Sequence, residues 1–165
     1  MADSTEELLR AWFRRLRESQ FSHYEAAKSL EGYTYWLGLP AILLSTFVGT
    51  SVFAALGRSV DPRLQINVGL VSVAAAMLSS IQTFLRFSER AEKHRSVAAR
   101  YGALRREIEE ILAQGGEMPG GSLSALRGKI DELAESAPNI PTRIWTKTQR
   151  TMGESSLISS SKRTA

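Results

Sequence analysis

Two long stretches of the chain, Gly32–Gly57 and Leu64–Leu85, contain no Asp, Glu, Lys or Arg. Only the short link Arg58-Ser-Val-Asp-Pro-Arg63 separates them. A bilayer core is about 30 Å thick and takes about 20 helical residues to cross. Both runs reach that length. The pattern predicts two membrane-spanning helices, 36–57 and 62–85. A link of this size forces its helices to lie antiparallel. The competing reading is a soluble bundle with two fully buried central helices. The second run leaves that reading open, because Gln65, Asn67, Ser72, Ser79, Ser80, Gln82 and Thr83 make it only moderately apolar.

The ends of the runs carry helix signals. Pro40 lacks an amide hydrogen and clashes with the preceding turn, so a helix is expected to begin or kink there. Gly57 suits the left-handed residue that closes a helix. Asp61-Pro62 reads as an N-cap followed by proline in the first turn. Lys and Arg lie mostly outside the hairpin. Arg14, Arg15, Arg17 and Lys28 precede it, and Arg86, Arg90, Lys93, Arg95, Arg100, Arg105 and Arg106 follow it. The link holds only Arg58 and Arg63. The positive-inside rule then places both termini in the cytoplasm, in a multi-pass protein of the inner membrane. Tyr33, Tyr35, Trp36, Phe84 and Phe87 would all lie at the inner interface, which aromatic rings favour.

The mean hydropathy of −0.15 averages these runs with highly charged flanks. The chain has no cysteine, which excludes disulfides, thiol nucleophiles and thiolate metal sites. Its acidic, polar start gives no sign of a cleaved leader, so the first span is expected to act as its own insertion signal. The net charge of +4 resides largely in the clusters beside the spans, where it suits an anionic leaflet. No basic patch stands apart from them, which argues against a nucleic-acid partner.

Residues 4–31 read as an amphipathic helix. Ser4-Thr-Glu-Glu7 has the form of a capping box, and Leu9, Trp12, Leu16, His23, Ala27 and Leu30 share a face. Residues 86–114 are the most regular segment. There Phe87, Ala91, His94, Ala98, Tyr101, Leu104, Ile108 and Ile111 form a near-heptad seam. That seam needs a partner, either the first helix or the same helix of a second copy. Gly115–Gly121 reads as a linker. Residues 122–136 read as a short helix capped by Ser122, and Pro138 ends it. Asn139–Trp145 reads as a docked segment. From 148 the Ser/Thr/Lys/Arg composition predicts a disordered basic tail.

Catalytic signals are missing from the sequence. No nucleophile elbow, phosphate loop or metalloprotease helix is present. The expectation is a non-enzyme with no cofactor. His23 and His94 lie one per helix, each on an apolar face. That is too few ligands for a structural zinc, which takes about four. They read either as a hydrogen-bonded pair between helices or as a proton-sensing gate. The informative polar residues are in the spans. Ser45, Thr46, Gly49 and Thr50 cluster on the first. Gln65, Gly69, Ser72, Ala76, Ser79, Ser80 and Thr83 fall on one side of the second. Their spacing fits close helix packing, or the lining of a water-filled path once several hairpins assemble. Two helices cannot enclose a channel, so the second reading requires a homo-oligomer.

Four stretches carry a family likeness: Trp36-Leu-Gly-Leu-Pro40, Leu44–Phe53, Gln82–His94 and Ala99–Ile108. In these the chain resembles the SLATT domain, a bacterial two-transmembrane domain associated with nucleotidyltransferase and nucleotide-sensor modules. The likeness extends to about Lys147, so residues 1–147 would form one such domain. It implies a membrane effector of nucleotide-signalled conflict or antiphage systems that forms pores or disrupts the membrane. The family supplies no catalytic residues. No sensor or synthase module lies within these residues, so a separate partner, or a ligand of the cytoplasmic helices, would have to supply the trigger.

The expectation is an all-α integral membrane protein. It would have an antiparallel two-helix transmembrane hairpin, flanking cytoplasmic helices forming a bundle, and a homo-oligomeric assembly. The alternative is a non-conducting membrane scaffold that recruits a cytoplasmic partner.

Overall fold

The computed structural model describes the backbone of residues 2–56, 61–115 and 121–161, and side chains over 4–56, 61–115 and 121–153. Five helices occur among the described residues, and no strand. They are α1 (Ala2–Ala55), α2 (Pro62–Leu85), α3 (Phe87–Ala113), α4 (Ser122–Ser136) and α5 (Thr142–Ser161). Two compact units result. One comprises residues 1–28 and 91–165, the other residues 29–90.

The first unit has a conventional apolar core. Leu9 and Leu16 of α1 meet Val97, Tyr101, Leu104 and Ile108 of α3 and Leu126 and Leu133 of α4. Leu9 and Ile108 are wholly buried. A fully buried side chain of this size contributes about 1.5–3 kcal/mol. The α3 seam therefore finds its partner in α1, with α4 closing the third side. Lys129 of α4 bonds Glu107 of α3 at 2.7 Å. α5 lies along α1, where Lys147 donates to Glu25 at 2.7 Å and Gln149 donates to Glu18 at 3.2 Å.

The second unit is the hairpin. Thr34 bonds Ser88 at 3.4 Å, and the Gln82 amide lies across the backbone at Gly38. Numbers rise on one side as they fall on the other, so the helices are antiparallel. The seam runs through Gly38 and Ala41 on α1 and Ala75 on α2, all buried. A Cβ on Gly38 would stand 3.0 Å from the Gln82 Nε2, so the glutamine amide packs directly on the glycine. Outside the seam the large apolar side chains are bare. Phe84 is 85% exposed and Phe53 75%, and Ile42, Leu70 and Met77 are also exposed. A buried helix pair of a soluble bundle would hide these groups, whereas lipid covers them without cost. Both helices are long and apolar enough to cross a membrane.

Several local expectations change. α1 is one helix from Ala2 to Ala55 rather than two, with Pro40 inside it. Proline costs one i→i−4 bond, and spans tolerate this where neighbouring groups and local adjustment satisfy the freed carbonyl. The helix begins before Ser4, so Ser4 is not its N-cap. Asp61 is an N-cap, its carboxylate accepting from the Arg63 amide at 2.8 Å, with Pro62 next. α2 and α3 are separated by Arg86 alone, in the left-handed conformation (φ 45°, ψ 46°). Ser122 lies within α4, and the N-cap is Gly121, whose φ of 89° suits glycine. The expected disordered tail is helical through Ser161. Pro141 opens this helix, accepting from the amides of Ile144 and Trp145, and docking on α1 supplies stability that composition does not reveal. Gly57 to Val60, Gly116 to Gly120 and residues 162–165 lie outside the described residues. The expected C-cap at Gly57 and the interiors of both links fall there.

Candidate functional site

On α2, the residues singled out for packing or lining lie beside the face that packs in the hairpin seam. Gln65, Gly69, Ser72, Ala76, Ser79, Ser80 and Thr83 are all exposed. Gln65, Gly69, Ser72, Ala76, Ser79 and Thr83 fall within an arc of about 80°, at roughly 100° per residue. That arc is centred about 100° around the helix from the Ala75–Gln82 seam. On α1, Ser45 and Thr46 and Thr50 are exposed, and Gly49 is half-buried. The small residues that bring the two spans together are therefore Gly38, Ala41 and Ala75, not the small-residue stripe itself. Sequence reasoning passed over them. Their signal is the i, i+3 pairing of small residues at 38 and 41.

The hydroxyls divide into two groups. Thr46 donates to the Ile42 carbonyl at 2.9 Å and Thr50 to the Thr46 carbonyl at 3.0 Å. Ser80 donates to the Ala76 carbonyl at 2.8 Å and Thr83 to the Ser79 carbonyl at 3.0 Å. Such back-bonding satisfies a hydroxyl within its own helix, which lets it face lipid or another helix. Gln65, Ser72 and Ser79, at successive intervals of seven, make no side-chain hydrogen bond within the described residues. Where the spans reach the link, a cavity of about 540 Å³ opens between them. Val52, Leu56 and Val68 line it, with Ser51, Gln65 and Ser72 as its polar groups.

In the other unit, α1 and α3 bring His23 and His94 together. The rings are 2% and 5% exposed, and their Nδ1 atoms are 2.9 Å apart. The His23 ring also stacks on Tyr101, with centroids 5.6 Å apart and planes at 20°. Burial, and then the charge of His94, lowers the pKa of His23 to about 4. Burial also raises that of Tyr101. Both groups are thus held neutral. Nearby, Gln20 packs where a Cβ on Gly102 would stand 2.7 Å from its amide nitrogen, so α1 and α3 approach closely here. Among the described residues no group of three or more His, Cys, Asp or Glu is placed to hold a metal ion.

Residues 5–155 match the family described as SMODS and SLOG-associating 2TM effector domain family 4, or SLATT_4. The chain belongs to this SLATT family. The match spans α1 to α4 and most of α5, so both compact units are part of the SLATT domain. No curated protein and no solved structure matches the chain. The "2TM" of the family description fits α1 and α2, the two helices able to cross a bilayer. This SLATT protein is therefore an all-α membrane protein, and the family is one of effector domains rather than of known catalysts.

Proposed function

We propose that this SLATT protein is a membrane effector that permeabilises the bacterial inner membrane as a homo-oligomer. Both termini lie in the cytoplasm, and no catalytic step is involved. The observation that carries this reading is the α2 stripe. Gln65, Ser72 and Ser79 are exposed polar groups in a helix made to face lipid, and among the described residues of one hairpin they make no side-chain hydrogen bond. Unpaired polar groups in hydrocarbon are costly, so the stripe requires either water or a second copy against it. Several hairpins arranged with the stripe inward would supply a narrow, hydroxyl-lined path. With no charge in either span, its selectivity would be weak and set by diameter. The family's association with SMODS and SLOG modules supports a trigger from a separate nucleotidyltransferase or nucleotide-sensor partner. Charged faces of α3 would pass that signal to the spans.

A second reading has its own support. Thr46, Thr50, Ser80 and Thr83 are bonded to their own helices, which favours dry helix packing in a non-conducting scaffold. Release of a trapped dye from liposomes containing the purified chain separates the two. The effector should leak, and Ser72→Leu with Ser79→Leu should cut leakage at least tenfold while leaving membrane insertion intact. Liposomes that stay tight under every trigger would leave only the scaffold.

A further inference from the structure

The contact between His23 and His94 joins two parts of the chain 71 residues apart and is buried on both sides. A 2.9 Å separation of two Nδ1 atoms requires one proton on the line between them. In the neutral pair one ring therefore carries its proton on Nδ1 and the other on Nε2. If both rings are fully charged, two N–H donors point at each other, and neither can accept. We infer that this contact is a proton-operated catch: a proton shared between His23 and His94 holds α1 to α3, and charging both rings releases them. The inference adds a mode of regulation to the effector and rests on that reading only for its biological role.

The surroundings fit a catch. On α3, Tyr101 faces His23 with its ring and stays neutral across the relevant pH range. On α5, packed against the same stretch of α1, Lys147 is committed to Glu25, and Thr148 is buried. What acts on the charge of His23 is its burial and His94, and both disfavour the imidazolium. The closed state thus rejects protons that an opened, hydrated ring would take up near the ordinary histidine value of about 6.5. The state that binds more protons gains as pH falls. The closed form is fully favoured above that value, and its advantage is lost as pH falls from about 6.5 toward the lowered value of about 4 for His23. For each ring that charges only on opening, the open-to-closed ratio rises about tenfold per pH unit across that window. A membrane made leaky to protons acidifies the cytosol, so the catch would reinforce an opening once begun.

The test uses the full chain in lipid nanodiscs. Amide hydrogen exchange over residues 18–27 and 91–101 is compared at pH 7.5 and 5.5, after correction for the pH dependence of intrinsic exchange. Protection in the wild type should fall about tenfold or more on acidification. The His23→Gln/His94→Gln variant should lose that dependence. Protection that changes less than twofold in the wild type, or falls equally in the variant, overturns the catch. Nitrogen-15 spectra of the wild-type histidines at pH 7.5 give a second measure if the variant fails to fold. One protonated Nδ1 shared by the pair is expected, and two bare Nδ1 atoms would overturn the inference. Dye leakage from vesicles is scored separately. A pH-dependent catch in a protein that never leaks removes the effector and leaves the catch, whereas leakage with pH-independent protection does the reverse.

Discussion

Thr148 shows how much a single buried atom can reveal. The residue is 5% exposed, and its hydroxyl oxygen has no hydrogen-bond partner among the described residues. Three residues on, Thr151 avoids that fate by donating to the Lys147 carbonyl at 3.0 Å. A buried hydroxyl without a partner costs on the order of 1 kcal/mol or more. Thr148→Val keeps the shape and removes the cost. It should raise the thermal midpoint of the unit formed by residues 1–28 and 91–165 by a few degrees, corresponding to about 1 kcal/mol, read by circular dichroism. A lowered midpoint would mean that the hydroxyl has a bonded partner after all. Nothing in the sequence marks Thr148, because a threonine in a Ser/Thr-rich stretch reads as solvated. The two histidines were easier to place. Their positions on apolar faces follow from helical spacing, but their meeting depends on tertiary packing that spacing does not encode.

At the scale of elements, the long uncharged runs and the α3 seam were legible because hydrophobic period and length decide them. The breaks between elements were less so. Pro40 reads as either a start or a kink, and α1 passes through it, so a start is ruled out there. The Ser/Thr/Lys/Arg composition after 148 reads as disorder, yet α5 runs on to Ser161, and its first half is held on α1 by the Lys147–Glu25 and Gln149–Glu18 contacts. α4 depends on packing in the same way. It is 15 residues long, near the length at which an isolated helix is marginal in water, and it is held by Leu126 and Leu133, both 1% exposed. Leu126→Ala leaves a void against α1 and α3, with an expected cost of about 2–4 kcal/mol. Chemical denaturation should show that loss, with the lost protection in hydrogen exchange greatest over residues 122–136. A cost below about 1 kcal/mol would mean that α4 is peripheral to the core.

At the scale of the whole molecule, orientation is what the proposed function most depends on. Side chains such as Phe53, Phe84 and Leu70 are bare to a degree that calls for lipid or another chain to cover them, and the two-span family description together with two helices long and apolar enough to cross a bilayer points to lipid. The proposed cytoplasmic placement of the termini rests instead on charge. Eleven Lys and Arg flank the hairpin on the side of the termini, against two in its link. Each such residue near an anionic surface contributes about 1 kcal/mol, so the asymmetry far exceeds thermal energy even after screening by salt. A reporter active only outside the cytosol should therefore give signal when inserted between Arg58 and Arg63. It should stay silent when fused ahead of α1 or after α5. Replacing Arg90, Lys93, Arg95 and Arg100 with Gln should weaken that preference, so that a measurable fraction of molecules shows an exported terminus. Were the wild-type link silent and a terminus active, α3 and the histidine pair would lie outside the cell. No cytoplasmic trigger could then reach them, and the effector reading would lose the route by which it is switched.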